Sequence, residues 1–247
     1  MLEIVLLIGI GYFIGGVLKG ATVAGAPLVS VPLLTLFYDP QTAIALFAIP
    51  NLLPNIWQTW RYRKHRLPNN FLWRFAGFGC LGAFVGTVFL ATLPSTWLSM
   101  GVALAVLAYV CFKIFNRAWQ LSDLAATRLA APAGGLAGTL QGATGISAPV
   151  SLTFLNAMGL PRERFVPTIS TYFISVSVAQ IPLLLWFDVL TLPLTILGFL
   201  SLIPLIAGMP VGNWLVRYIT PAQFNIAMLG LLVILAMGIL VDLGIFG

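Results

Sequence analysis

Lys19 is a cation set between apolar stretches, in the segment Gly16-Val-Leu-Lys-Gly-Ala-Thr-Val-Ala-Gly-Ala-Pro27. Inside a bilayer a lysine costs roughly 2.5–3.5 kcal/mol on insertion scales and marks a functional site by default. The competing account is that its stem snorkels the ammonium to an interface. The segment recurs without a gap, 122 residues later, as Gly138-Thr-Leu-Gln-Gly-Ala-Thr-Gly-Ile-Ser-Ala-Pro149. Gln141 stands opposite Lys19, Gly142 opposite Gly20 and Thr144 opposite Thr22; Ser147 adds a hydroxyl, and the same offset pairs Gln58 with Gln180. Small-residue helices can resemble each other by chance, but a Thr and a Pro in register with the glycines point to an internal duplication.

One cation and several neutral donors suit a small oxyanion. Each copy reads as a helix break: Gly permits unusual backbone angles and close approach, and Pro27 and Pro149 fit the first turn of a following helix. The N-termini beyond the breaks would present free N–H groups and positive dipole ends, which favour an anion. For Thr22 and Thr144 the alternative is bonding within their own helix or small-residue packing. Further lining is expected from Asn51 and Asn55, four apart on one helical face beside Pro50 and Pro54, and from Ser170, Thr171, Tyr172, Ser175 and Ser177.

The absent residue types restrict the chemistry. No Asp or Glu falls inside an apolar stretch, and the one histidine, His65, sits in a basic run, so a carboxylate or histidine proton relay is unsupported. Without a phosphate-binding loop, a metal-ligand cluster or a nucleophile beside a base, neither an enzyme nor a bound cofactor or metal is expected. Cys80 and Cys111 lie in apolar stretches with no CxxC and read as packing residues.

The elements that must position these residues follow from composition. Of 247 residues 60% are hydrophobic and 7% charged, against roughly 25% charged in soluble domains. The apolar segments fall at 2–18, 26–37, 42–60, 71–92 and 97–115, then 129–144, 148–158, 165–186, 192–217 and 223–245. About 20 helical residues cross a hydrocarbon core, so the chain reads as an all-α polytopic membrane protein. Segments alternating apolar and polar, as a barrel needs, are not found. The excess of six positive charges is then a topology signal rather than a mark of nucleic-acid binding. Glu3 and the lack of Lys or Arg before Lys19 make the first segment unlike a cleaved signal peptide.

Lys and Arg favour cytoplasmic loops. Arg61-Tyr-Arg-Lys-His-Arg66 goes inside, and two crossings later Lys113, Arg117 and Arg128 flank an inside connection at 116–128. If 129–144 and 148–158 form a hairpin that enters and returns, Arg162 and Arg164 are inside, Asp188 outside, Arg217 inside, and Asp242 and the C-terminus outside. An equivalent hairpin at 2–37 puts Glu3 and Asp39 outside. Eleven of the twelve Lys and Arg, Arg74 included, then lie on or near one side, with Lys19 left over. The expected architecture is two inverted five-helix repeats, 1–122 and 123–247, each opening with a short hairpin broken at the Gly/Thr/Pro motif. Such repeats are a recurring transporter plan with the ligand near the midplane. The rival reading, one kinked helix over 2–37, would run about 54 Å, longer than a crossing. Trp57, Trp60, Trp73, Trp97 and Trp186 fall near segment ends and read as interfacial anchors.

Gly15-Gly-Val-Leu-Lys-Gly20 through Val31-Pro-Leu-Leu34, Ala43 through Asn51, and the second copy from Gly134 to Pro149 resemble the sulfite exporter TauE/SafE family across essentially the whole chain. Where that family commonly carries Gly-x-Gly-Gly-Gly, this chain has Val23-Ala-Gly-Ala-Pro27 and Gly145-Ile-Ser-Ala-Pro149. The resemblance implies transport of sulfite, sulfonates or related organosulfur anions, often as export across the inner membrane. The role of Lys19 comes from its position, not from the family. The reading that results is a secondary transporter of a small anion in the lipid bilayer, with room for a coupling ion and the oligomeric state open. A passive anion channel, or a non-transporting subunit that needs a partner, is the alternative.

Overall fold

The computed structural model describes residues 2–115 and 120–245. Arg117 and the rest of 116–119 lie outside the described residues, as does the very C-terminus. Ten helices occur among the described residues, with no strand: α1 Leu2–Thr22, α2 Ala26–Thr35, α3 Pro40–Arg61, α4 Asn69–Thr92, α5 Ser95–Phe115, α6 Asp123–Thr144, α7 Ala148–Ala157, α8 Arg162–Trp186, α9 Leu192–Leu215 and α10 Pro221–Asp242. A π-helical turn at Trp73–Gly77 interrupts α4, and a short 3-10 turn, Arg63–His65, precedes it.

Five of these helices, α4, α5, α8, α9 and α10, are long and apolar enough to cross a membrane. Helices α3 and α6 are less apolar than these five. Helix α3 has crossing length, but Asn51, Asn55 and Gln58 lower its hydropathy, and all three are buried. Several boundaries also move. Helix α1 continues through Lys19 to Thr22, so the break spans only Val23 to Gly25. Helix α6 begins at Asp123 rather than 129, because the Ser122 side chain accepts from the Ala125 N–H and Asp123 complements the N-terminal dipole. Cys111 is exposed on α5 rather than packed inside, and Cys80 is half-buried.

The two short helices fold back on their predecessors. Ser30 Oγ in α2 donates to the Gly11 carbonyl of α1 at 3.1 Å. The Leu121 N–H, just before α6, donates to the Ala157 carbonyl that ends α7 at 2.8 Å, so α7 returns to the level at which α6 starts. Each turn contains one left-handed residue, at equivalent positions: Val23 at φ 76° and Gly145 at φ 71°. Glycine adopts that conformation freely, whereas a β-branched residue does so only under strain.

Pairing between helices joins segments far apart in the chain. Helix α6 packs on α4, and α1 on α9. In the first seam Gly134, Gly138 and Gly142 of α6 lie directly on the backbone at Phe75, Gly79 and Ala83, and in the second Gly16 and Gly20 of α1 lie on the Leu205 and Met209 carbonyls. Both registers ascend together, so each pair is parallel. Small residues at four-residue spacing let helix backbones touch, which is how helices associate where lipid supplies no hydrophobic drive. Helices α3 and α8 run antiparallel through the centre: Asn51 pairs with Ser177, and Gln58 with Ser170.

Basic residues collect at one end. His65 lies 3.6 Å from Glu163, joining the Arg61–Arg66 loop to the start of α8, and Arg74 donates to the Thr127 carbonyl at 3.5 Å. At the other end Gln41 bonds to the Leu93 carbonyl and accepts from Ser95, fixing the start of α3 beside the α4–α5 turn.

Gly138→Leu or Gly16→Leu forces a side chain against backbone and should cost about 1–3 kcal/mol or more. Gly9→Ala, where a Cβ meets nothing within 4 Å, should be neutral or slightly stabilising. Thermal unfolding in detergent checks both, and equal midpoints for all three variants would contradict the packing. Gly145→Val must adopt a left-handed φ with its Cβ 3.1 Å from Ile44 and Val31, so its midpoint should fall by the equivalent of about 1–3 kcal/mol.

Candidate functional site

Lys19 occupies the last turn of α1, where the α1–α9 glycine seam holds it inside the bundle at 3% exposure. Its Nζ donates to Asn55 Oδ1 at 3.1 Å. Asn55 Nδ2 in turn donates to the Asn51 carbonyl at 2.6 Å and contacts Asn51 Oδ1 at 3.3 Å, and Asn51 Nδ2 reaches Ser177 Oγ at 3.4 Å. The face shared by Asn51 and Asn55 thus becomes a line of amides running from Lys19 across to α8. Pro50 and Pro54 lie inside α3 and remove two helical N–H donors beside this line. Lys19 forms no ion pair among the described residues; its polar partner is a neutral amide.

Lys19 forms part of the wall of a cavity of about 660 Å³. Gly20, Gln58, Tyr62, Arg162 and Asn213 supply the rest of its polar wall, and Leu53, Trp57, Leu202, Ile206 and Met209 much of its apolar wall. Tyr62, Arg162 and Asn213 belong to the basic ends of α3, α8 and α9, so the cavity opens toward the basic end. Gln58 Oε1 accepts from Ser170 Oγ at 3.0 Å. Its NH₂ group has no partner among the described residues and remains a free donor at the cavity wall.

The second copy of the motif is closed. Gln141 Nε2 donates to the Gly145 carbonyl at 2.8 Å, pinning the α6–α7 turn, and Gln180 Nε2 reaches the Gly142 carbonyl at 3.4 Å. Gln141, Thr144, Ser147 and Gln180 are all buried. Ser151 Oγ donates to Ser147, and the Ile146 N–H donates to Thr144 Oγ1. Tyr172 is fully buried beside Ser147, and Gln141 Oε1 is without a partner among the described residues.

Of the residues expected from sequence, Lys19, Gly20 and Gln58 therefore meet at one cavity, with Asn55 and Asn51 behind Lys19. Gln141, Gly142, Thr144, Ser147, Gln180 and Tyr172 gather around the other turn. Thr22 and Thr144 each donate to the carbonyl four residues back, at 2.8 Å, so their hydroxyls serve their own helices here. Thr22 borders a separate, smaller cavity. Thr171 bonds to the Pro167 carbonyl, and Ser175 bridges to the Ala76 carbonyl in the π-helical turn of α4. Sequence reasoning missed Arg162, Tyr62 and Asn213. Asn213, a lone amide in an otherwise apolar helix, was the one with a legible signal. Trp57, read as an interfacial anchor, is exposed as expected and also lines the cavity.

An uncompensated cation, a free amide donor and a guanidinium around one opening form an anion-binding chemistry. A buried charge left with only neutral partners is costly, and a bound counter-ion relieves that cost. The family model described as sulfite exporter TauE/SafE matches residues 7–239, nearly the whole chain. No curated protein and no solved structure matches. With its apolar crossing helices and this match, the chain is an integral, multi-pass membrane protein and belongs to the sulfite exporter TauE/SafE family of transporters for sulfur-containing anions.

Proposed function

We propose that this protein is a secondary transporter that exports a small sulfur-containing anion, sulfite, a sulfonate or a related organosulfur oxyanion, by alternating access. The supporting observation is the uncompensated Lys19 ammonium at the wall of a cavity that Gln58 and Arg162 also line. Lys19, Gln58 and Arg162 hold the anion, Asn55 and Asn51 orient Lys19, and the Gln141–Gln180 half closes the far side. Thr22, Thr144 and Ser147 supply hydroxyls when the turns rearrange.

Two inverted repeats, 1–122 and 123–247, give this cycle its mechanics. Support comes from the antiparallel α3–α8 pair, from the crossed seams α6 on α4 and α1 on α9, and from left-handed turns at the equivalent positions 23 and 145. With the basic end cytoplasmic in a bacterial inner membrane, the arrangement described is the inward-open one. Exchanging the conformations of the two halves would close the Lys19 cavity and open the Gln141 side. For a negative-inside cell the membrane potential contributes about 2.3 kcal/mol per charge per 100 mV to anion exit, so export needs no coupling ion.

In proteoliposomes, the wild type should carry sulfite or a short sulfonate with saturation, and Lys19→Gln should weaken anion binding by roughly 10- to 100-fold, the range of a charged hydrogen bond. Undiminished flux in that variant would remove Lys19 from the site, and flux that never saturates would mean a channel. In a background lacking Cys80 and Cys111, a cysteine at Gln58 should react with an impermeant reagent from the basic side and one at Gln180 from the other. Both should change when substrate is added, and static labelling patterns would rule against alternating access.

A further inference from the structure

Away from the Lys19 cavity, a groove of about 890 Å³ runs between α5, α7 and α10. Its basic-end rim carries Lys113, two residues before α5 ends, with Asn156 near the end of α7 and Asn225 in the first turns of α10. None of these three side chains has a hydrogen-bond partner among the described residues, and Asn156 is exposed. From Asn225 the groove descends α10 past Ile226 and Leu229 to Val233, about 12 Å of helix. Gly230 lies along that course, and a Cβ there would meet nothing within 4 Å. A smaller cavity shares Lys113, Asn156 and Asn225 with the groove and adds Arg162.

We infer that this groove is a binding site for an anionic phospholipid of the leaflet at the basic end. The phosphate sits among Lys113, Asn225 and Asn156, with Arg162 within the adjoining cavity, and one acyl chain lies along α10 over Gly230. Charge complementarity selects the headgroup: two cations and two amide side chains face the groove and its adjoining cavity, with no carboxylate among the residues lining either. Polarity along the groove selects a lipid over a free anion. Its polar groups lie near helix ends and its apolar wall runs toward the middle of α10, the arrangement of a basic pocket between membrane helices. A free phosphate would leave that wall unfilled.

The test is thermal unfolding of detergent-purified full-length protein titrated with phosphatidylglycerol, phosphatidylcholine or soluble glycerol phosphate. Phosphatidylglycerol should raise the wild-type midpoint by about 5 °C at saturation, and the other two by much less. Lys113→Gln should weaken the phosphatidylglycerol response about five-fold, the effect of one lysine near a headgroup. Gly230→Leu, which keeps every charge and has open space for its side chain, should block the acyl course and abolish the response. Equal stabilisation by phosphatidylcholine, an equal effect of glycerol phosphate, or an unchanged response in Gly230→Leu would overturn the assignment. Lys19→Gln should leave the lipid response intact, so failure of the transport reading and failure of this one are distinguishable.

Discussion

A helix that breaks inside a bilayer leaves backbone groups with no water to bond, and only surrounding protein or an aqueous cavity can satisfy them. This chain breaks two, at 23–25 and 145–147, and much of the remaining architecture follows from enclosing them. Each long hairpin helix lies against a crossing helix from the other half of the chain, α1 on α9 and α6 on α4, along glycines that let the backbones touch. A leucine-rich seam would hold the hairpins a side-chain layer away. The turns would then face lipid instead of the α3–α8 core.

Enclosure brings polar groups together as well. The amides of α3 can be buried because they bond across to α8 and to Lys19, so the helix least suited to lipid becomes the central one. Lys19 and Gln141, 122 residues apart in the recurring segment, bond differently. Gln141 turns its amide onto its own turn, whereas Lys19 reaches out to α3. The Gln141 amide places one N–H on a carbonyl of its own turn and leaves its Oε1 unpartnered among the described residues. An ammonium with three donors has more to place, and among the described residues its one polar partner is Asn55.

Much of this was legible in the sequence because it depends on residue types at fixed spacing. The duplicated motif, the ten segments, the prolines opening α2 and α7 and the oddity of Lys19 are local facts. The end of α1 was not legible, since nothing in Lys19-Gly-Ala-Thr22 stops a helix and its continuation depends on packing against α9. Arg162 was read only as a topology marker: its place at the cavity depends on how α8 leans toward α3, which no local pattern encodes. The left-handed Val23 had no signal of its own type, a valine being among the least suited residues for that backbone region. Gly145, 122 residues on in the recurring segment, was the available clue.

That pair also bears on how the halves can differ. Glycine at 145 takes the left-handed conformation at little cost, so the α6–α7 turn can rest in the closed arrangement without strain. Valine at 23 holds the same conformation at a cost of order 1–3 kcal/mol, which the α1–α9 seam and the Lys19–Asn55 bond must offset. A turn under strain that is held by a cation's hydrogen bond is sensitive to anything that competes for the cation. In the proposed cycle, an anion drawing Lys19 from Asn55 would loosen the contact that holds the strained turn in place, and would thereby couple occupancy of the cavity to the conformation of the hairpin beside it.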